Sequence, residues 1–208
     1  MIRGLFLIGF SATIALLAGL RRARKARSAP MAEDLRDILP EAIAWIEEMR
    51  DRYREGARPL DEAERGVMAP FFPPEILDGV RVRTLASLEN PAFLEDFGLA
   101  PGGGLLFDVT TASALAAVDT VLAVESRVEM GTENWSEVLF HELVHLVQYR
   151  ELGTRVFVAS YVESMEEVGF KYSEIAHEAQ ALDLERRFRE DPETPFSVVA
   201  EVRERFVL

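Results

Sequence analysis

Apolar residues along this chain recur mostly at helical spacing and alternate only briefly. Ile43, Ile46, Met49 and Tyr53 fall on one helical face, with Pro40 suited to a first turn and Gly56 to an end. That pattern predicts a helix over 40–56. The stretch 59–79, "PLDEAERGVMAPFFPPEILDG", is punctuated by proline and reads as short helices and turns that wrap a core. "VRVRTL" over 80–85 alternates as a strand, and "VDTVLAVES" over 118–126 is a second strand candidate. Between them, "NPAFLEDFG" (90–98) reads as a short helix. "APGGGLLFDVTTA" (100–112) has three consecutive glycines, and no Gly-Lys-Ser/Thr follows, so it reads as a turn before a strand rather than a phosphate loop.

"EMGTENWSE" leads into the next helix, with Thr132 or Asn134 as its cap and Glu137 spaced for a capping box. Asn134-Trp135-Ser136 also spells a glycosylation sequon, but an acceptor belongs on a surface loop and the capping role suits the position better. Gly153 ends the helix. Further helices are predicted over 154–170, with Val156, Phe157, Ser160, Tyr161 and Ser164 near one another, over 172–190, and, after the breaker "DPETP", over 196–206. There are no internal repeats. The body, 31–208, is expected to be α+β and mainly α, with a small sheet before the helix that starts near residue 133.

Residues 1–30 are a separate unit. An uncharged stretch over 4–20 precedes a run of five basic residues. Three readings compete: a membrane anchor, short at 17 residues and weakened by its glycines; a cleaved signal peptide, which the basic run disfavours; or an upstream extension of a chain that starts at Met31. If the segment inserts as an apolar transmembrane helix, the basic flank keeps the body cytoplasmic. If Met31 is the start, the protein is cytoplasmic.

Charge sharpens this division. The net charge of −13 conceals six basic and no acidic residues in 1–30, which leaves 17 basic against 36 acidic in the rest. A body that acidic is not a nucleic-acid binder through its general field. The chain has no cysteine, so disulfides and thiolate metal sites are excluded.

The chain has three histidines, and two of them lie in "LFHELVHLVQY" (139–149). On a helix His141 and His145 stand one turn apart on one face, so both imidazoles can reach one cation. Glu142 lies about 100° round from His141, beside such a cation without ligating it. This fits hydrolysis, with zinc polarising a carbonyl and acidifying a water whose proton Glu142 accepts. Leu139, Phe140, Leu143, Val144, Leu146 and Val147 make the rest of the helix apolar, so it is buried with a polar stripe of His141, Glu142, His145 and Gln148. The alternative, a satisfied core pair of histidines, explains neither the glutamate in the core nor the scarcity of histidine elsewhere.

Without cysteine, a third ligand must be histidine or a carboxylate. "YSEIAHEAQALDLE" offers Glu174, His177, Glu178 and Asp183. Glu178 follows His145 by 33 residues, enough for the chain to turn through one helix and return. It shares a face with Ala181, whose small side chain lets two helices approach closely. Glu178 is the assignment, with Glu174 and His177 as alternatives.

The stretches "LFHELVHLVQYRELGTRVFVASYV" and "YSEIAHEAQAL" resemble the DUF4157 group of zinc-peptidase-like domains, which share a His-Glu-Leu-x-His-x-x-Gln-Tyr helix and a later Glu-x-x-Ala helix. The resemblance covers roughly residues 75–185 and is most specific over 139–161. It implies a gluzincin-like fold with a small antiparallel sheet before the motif helix, His141, His145 and Glu178 as zinc ligands, and Glu142 as catalytic base. Two positions depart from the pattern. Ala176 replaces a proline common in the group, and Leu182 stands where many gluzincins place an aspartate that holds a ligand histidine. Tyr149, Tyr161, Tyr172 and His177 are the candidates for stabilising an oxyanion, with none chosen.

The expected function is a zinc-dependent metallopeptidase acting on a peptide or protein substrate, with membrane association through residues 4–20. The competing readings are a non-catalytic, zinc-stabilised binding module, and an iron site of two histidines and a carboxylate.

Overall fold

The computed structural model describes residues 37–93 and 108–207. The expected apolar helix at the N-terminus, the triple-glycine turn and most of the short helix over 90–98 lie outside the described residues. No helix among the described residues is long and apolar enough to cross a membrane.

Helix α1 (Leu39–Arg54) carries Pro40 in its first turn and buries Ile46 and Met49. Helix α2 (Glu62–Met68) opens on a capping box, in which Asp61 accepts from the Glu64 N–H and Glu64 accepts from the Asp61 N–H. Helix α3 (Pro74–Leu77) is a single turn. Strands β1 (Arg81–Leu85), β2 (Ala114–Ala117) and β3 (Thr120–Val124) form one sheet in the order β1-β3-β2.

The sheet is mixed, not antiparallel as the resemblance implied. β1 runs parallel to β3, and β2 runs antiparallel to it. The reason is connection length. A parallel pair needs a crossover of a dozen or more residues, which the long passage between β1 and β3 provides. β2 and β3 are joined by a tight turn instead. Neither β2 nor that turn was visible in the sequence. Ala114-Leu115-Ala116-Ala117 lacks the β-branched and aromatic residues that mark strands. The turn lacks asparagine or glycine. Its work falls to Val118, held at φ 59 while the Asp119 N–H donates to the Ala117 carbonyl.

Helix α4 (Glu133–Leu152) is capped by Thr132, whose side chain accepts from the Trp135 N–H. With Thr132 as cap the third helical residue is Trp135, so the capping box expected from Glu137 does not form. Gly153, at φ 78, ends α4 and starts helix α5 (Thr154–Glu167). Open space surrounds the position of a Cβ there, so the glycine serves backbone conformation rather than close approach. One turn (Tyr172–Glu174) leads into helix α6 (Ala176–Glu190), and helix α7 (Val198–Phe206) follows.

α4 is the axis of the molecule. It packs on β2, α5, α6 and α7. On the α6 side Phe140 stacks on Phe188, with centroids 4.5 Å apart, and Phe71 meets both rings edge-on. Ala181 is fully buried on α6, as its size requires of a close helix contact.

Candidate metal centre

The helix pair α4 and α6 determines which polar groups meet. Glu178 lies opposite His141 and His145, while Glu185, further along α6, lies opposite His141, earlier on α4. The helices therefore run antiparallel at the site. Among the described residues, His141, His145 and Glu178 are the group of side chains able to hold a metal ion. All three are buried, between 4% and 6% exposed.

Their ligating atoms form a triangle. His141 Nε2 and His145 Nε2 are 3.1 Å apart. Glu178 Oε2 is 3.4 Å from each. Ligands at the corners of a tetrahedron around zinc, at the usual Zn–N and Zn–O lengths, stand roughly 3.3 Å apart. The triangle thus matches one face of that tetrahedron without rearrangement. Glu178 Oε2 is buried and makes no hydrogen bond, whereas Glu178 Oε1 accepts from the Tyr161 hydroxyl at 2.8 Å. An orphaned carboxylate oxygen in a protein interior is costly unless something positive completes it.

The other ring nitrogens are occupied. His141 Nδ1 donates to Glu185 Oε2 at 2.9 Å, and His145 Nδ1 donates to Gln148 Oε1 at 2.8 Å. Each bond turns the lone pair of Nε2 toward the centre of the triangle, as a ligand histidine requires. Glu185 fills the role that Leu182 left unassigned. It lies two turns after Glu178 on the same stripe of α6, where the usual pattern places the acid after one turn. Only the separation of Glu178 and Glu185, matching two helical turns, could have pointed to it.

The field at the centre favours a cation. Burial pushes His141 toward its neutral form, but the Glu178 and Glu185 carboxylates outweigh it and raise its pKa to about 10. Burial likewise opposes charge on His145, and Glu178 again raises its pKa. Glu178 is held well below the carboxylate range: burial works against this, and the two histidines prevail. Glu142 is also buried, beside both histidines, and its pKa is raised by burial first, then by Glu178. The histidines and the Ala116 N–H offset part of that rise.

The alternatives for the third ligand lie elsewhere. Glu174 is bound by Lys171 at the surface, and Asp183 pairs with Arg186. His177 is buried against α5 and α7, with Nε2 3.1 Å from Ser160 Oγ and its ring stacked on Phe206. Burial lowers its pKa to about 4, with help from His145. Of the oxyanion candidates, Tyr161 is engaged with Glu178, and Tyr149 packs its ring on Phe157 with centroids 3.8 Å apart.

No protein-family model, curated protein or solved structure matches this chain. The likeness drawn from the motif stands on the quoted residues alone.

Proposed function

We propose that this chain is a zinc-dependent metallopeptidase. The observation that carries the reading is the triangle of His141 Nε2, His145 Nε2 and Glu178 Oε2, of tetrahedral size and with an orphaned oxygen, beside a carboxylate that is not part of it. Zinc held there would polarise a substrate carbonyl and acidify a water. Glu142 would accept the proton from that water and deliver it to the departing amine nitrogen. Tyr161 fixes the Glu178 carboxylate by holding Oε1, which leaves Oε2 for the ion. The Ala116 N–H beside Glu142 brings β2 to the site, and β2 is an edge strand among the described residues. An extended peptide lying along that edge would present its carbonyls to Glu142 and the ion. The opposite edge of the sheet is occupied, because Arg58 exchanges two backbone hydrogen bonds with Val82. Residues 4–20 would tether this activity to a membrane, with the acidic body on the cytoplasmic side.

A second reading is favoured by burial. The three ligands and Glu142 are all at most 6% exposed, as in a metal centre that only stabilises a binding module. Glu142→Gln separates the two. For a peptidase, the variant keeps stoichiometric zinc and loses about 10²–10⁴-fold in cleavage of unstructured peptides, read by mass spectrometry. Cleavage at the wild-type rate by Glu142→Gln, or none by zinc-loaded wild type, would sink the catalytic reading. Metal analysis of protein purified without added metal decides between zinc and iron.

A further inference from the structure

Gln148 is completely buried, and its amide is held on three sides. Gln148 Nε2 donates to the His177 carbonyl at 3.1 Å and to Gln180 Oε1 at 3.0 Å. Gln180 Nε2 donates in turn to the backbone carbonyl of Glu201 on α7, at 2.9 Å. A backbone carbonyl can only accept. The Glu201 carbonyl therefore requires the NH₂ end of Gln180, which points Gln180 Oε1 at Gln148. The His177 carbonyl independently requires the NH₂ end of Gln148. With both amides fixed, Gln148 Oε1 is the atom left facing His145, and His145 Nδ1 must carry a proton to bond with it.

We propose that Gln148 and Gln180 form a one-way hydrogen-bond relay that sets the tautomer of His145 and couples it to helix α7. Both are positioning residues: neither touches the ion, and each acts through the next. The relay reserves His145 Nε2 for the metal by occupying Nδ1. It also makes the position of α7 part of the metal site, because the carbonyl that starts the chain belongs to Glu201. The inference rests on the reading of His145 as a ligand. It differs from the support of His141, which comes from the charged carboxylate of Glu185 in one step. His145 is held by neutral amides, and its lock is directional rather than ionic.

Both failures can be told apart with the full-length protein. In wild type, ¹⁵N-edited NMR should show a proton on His145 Nδ1, slow to exchange, with and without zinc. A bare Nδ1, or zinc bound through Nδ1, would overturn the relay even in a protein that takes up zinc normally. If wild type binds no zinc, the metal reading fails, while the comparison of the Nδ1–H signal between wild type and Gln180→Leu still tests the relay. Gln180→Leu removes one of the two anchors of Gln148. It should weaken zinc binding about tenfold, measured by chelator competition, and broaden or shift the Nδ1–H signal. Arg186→Ala, on the exposed face of α6 where the side chain pairs with Asp183 and Glu190, lies outside the relay, so zinc affinity and the Nδ1–H signal should stay at wild-type values. If Gln180→Leu loses stability alone, with the signal and the affinity unchanged, Gln180 is only a packing residue and the proposal falls.

Discussion

Two glutamates are buried against α4, and they are treated in opposite ways. Glu64 meets a donor at every turn. Arg58 donates to both of its oxygens at 2.6 Å, Trp135 Nε1 donates to Oε1 at 2.8 Å, and the Asp61 N–H donates to Oε2 at 2.9 Å. Glu178 is buried as deeply, yet one of its oxygens has no hydrogen bond and faces two imidazole nitrogens. A carboxylate whose acceptors are all met ties elements together, here α2, the segment at Arg58 and the start of α4. A carboxylate with one oxygen free of donors and facing two imidazole nitrogens has the chemistry of a metal ligand. This contrast, more than burial or charge alone, supports the proposal of a ligand site at Glu178 and distinguishes it from the clasp at Glu64.

The sharpest way to break the comparison is to remove each glutamate and measure both zinc and stability. Glu178→Ala should weaken zinc binding by more than about 100-fold, beyond the range expected for groups that only support ligands. The zinc-free variant should also lose stability at neutral pH, because the two histidines hold Glu178 well below the carboxylate range and the buried Tyr161 hydroxyl loses its acceptor. Chelator competition and thermal unfolding of the zinc-free protein check the two halves. Zinc binding at wild-type strength in Glu178→Ala would take this residue out of the site.

Glu64→Gln should affect stability alone. It loses charge-assisted bonds with Arg58 and leaves either Trp135 Nε1 or the Asp61 N–H facing an NH₂ group, at a cost of about 2–3 kcal/mol in urea unfolding. Zinc affinity should not change. The effect depends on pH. Burial pushes the Glu64 carboxyl up, but Arg58, the Asp61 N–H and Trp135 together hold it below its ordinary value of 4.5. The folded state thus binds this proton less readily than the unfolded state. Stability from Glu64 is fully present above pH 4.5 and is lost as pH falls through the lower folded value. The gap between wild type and Glu64→Gln should therefore close on acidification. A gap that is constant from neutral pH to well below 4.5 would mean the ionised carboxylate is not what holds the clasp.

The two clusters also differ in how far they could be read from the sequence. His141, Glu142 and His145 were legible because helical spacing alone puts them together. Glu178 was legible because Ala181, three residues on, marks the face of α6 that comes close to α4. The clasp was not legible. Asp61 and Glu64 announce a helix start, but nothing local says that Trp135, far along the chain, returns to share the same carboxylate. The fold shows the same division. Helices with apolar stripes and proline or glycine at their ends were visible, whereas β2 was missed because its alanines and its Val118-Asp119 turn carry no strand or hairpin signal. What depends on contacts between distant segments, including the parallel pairing of β1 with β3, has no local signature.

Glu185 gives the finest comparison, within the candidate metal centre itself. It supports His141 with a charge, while Gln148 supports His145 with a neutral amide. If the charge matters, Glu185→Gln should weaken zinc binding about tenfold although an acceptor for Nδ1 remains, because an ionised partner makes the imidazole a stronger donor to the metal. Glu185→Ala removes the acceptor as well and should weaken binding further, toward about 100-fold. If only orientation matters, Glu185→Gln should bind zinc like wild type and Glu185→Ala should carry the whole loss. Equal affinity in all three proteins would leave His141 held by something other than Glu185. The first pattern would make the two ligands unequal by design: His141 an electron-rich ligand tied to a carboxylate, His145 a ligand fixed in direction and tied to α7.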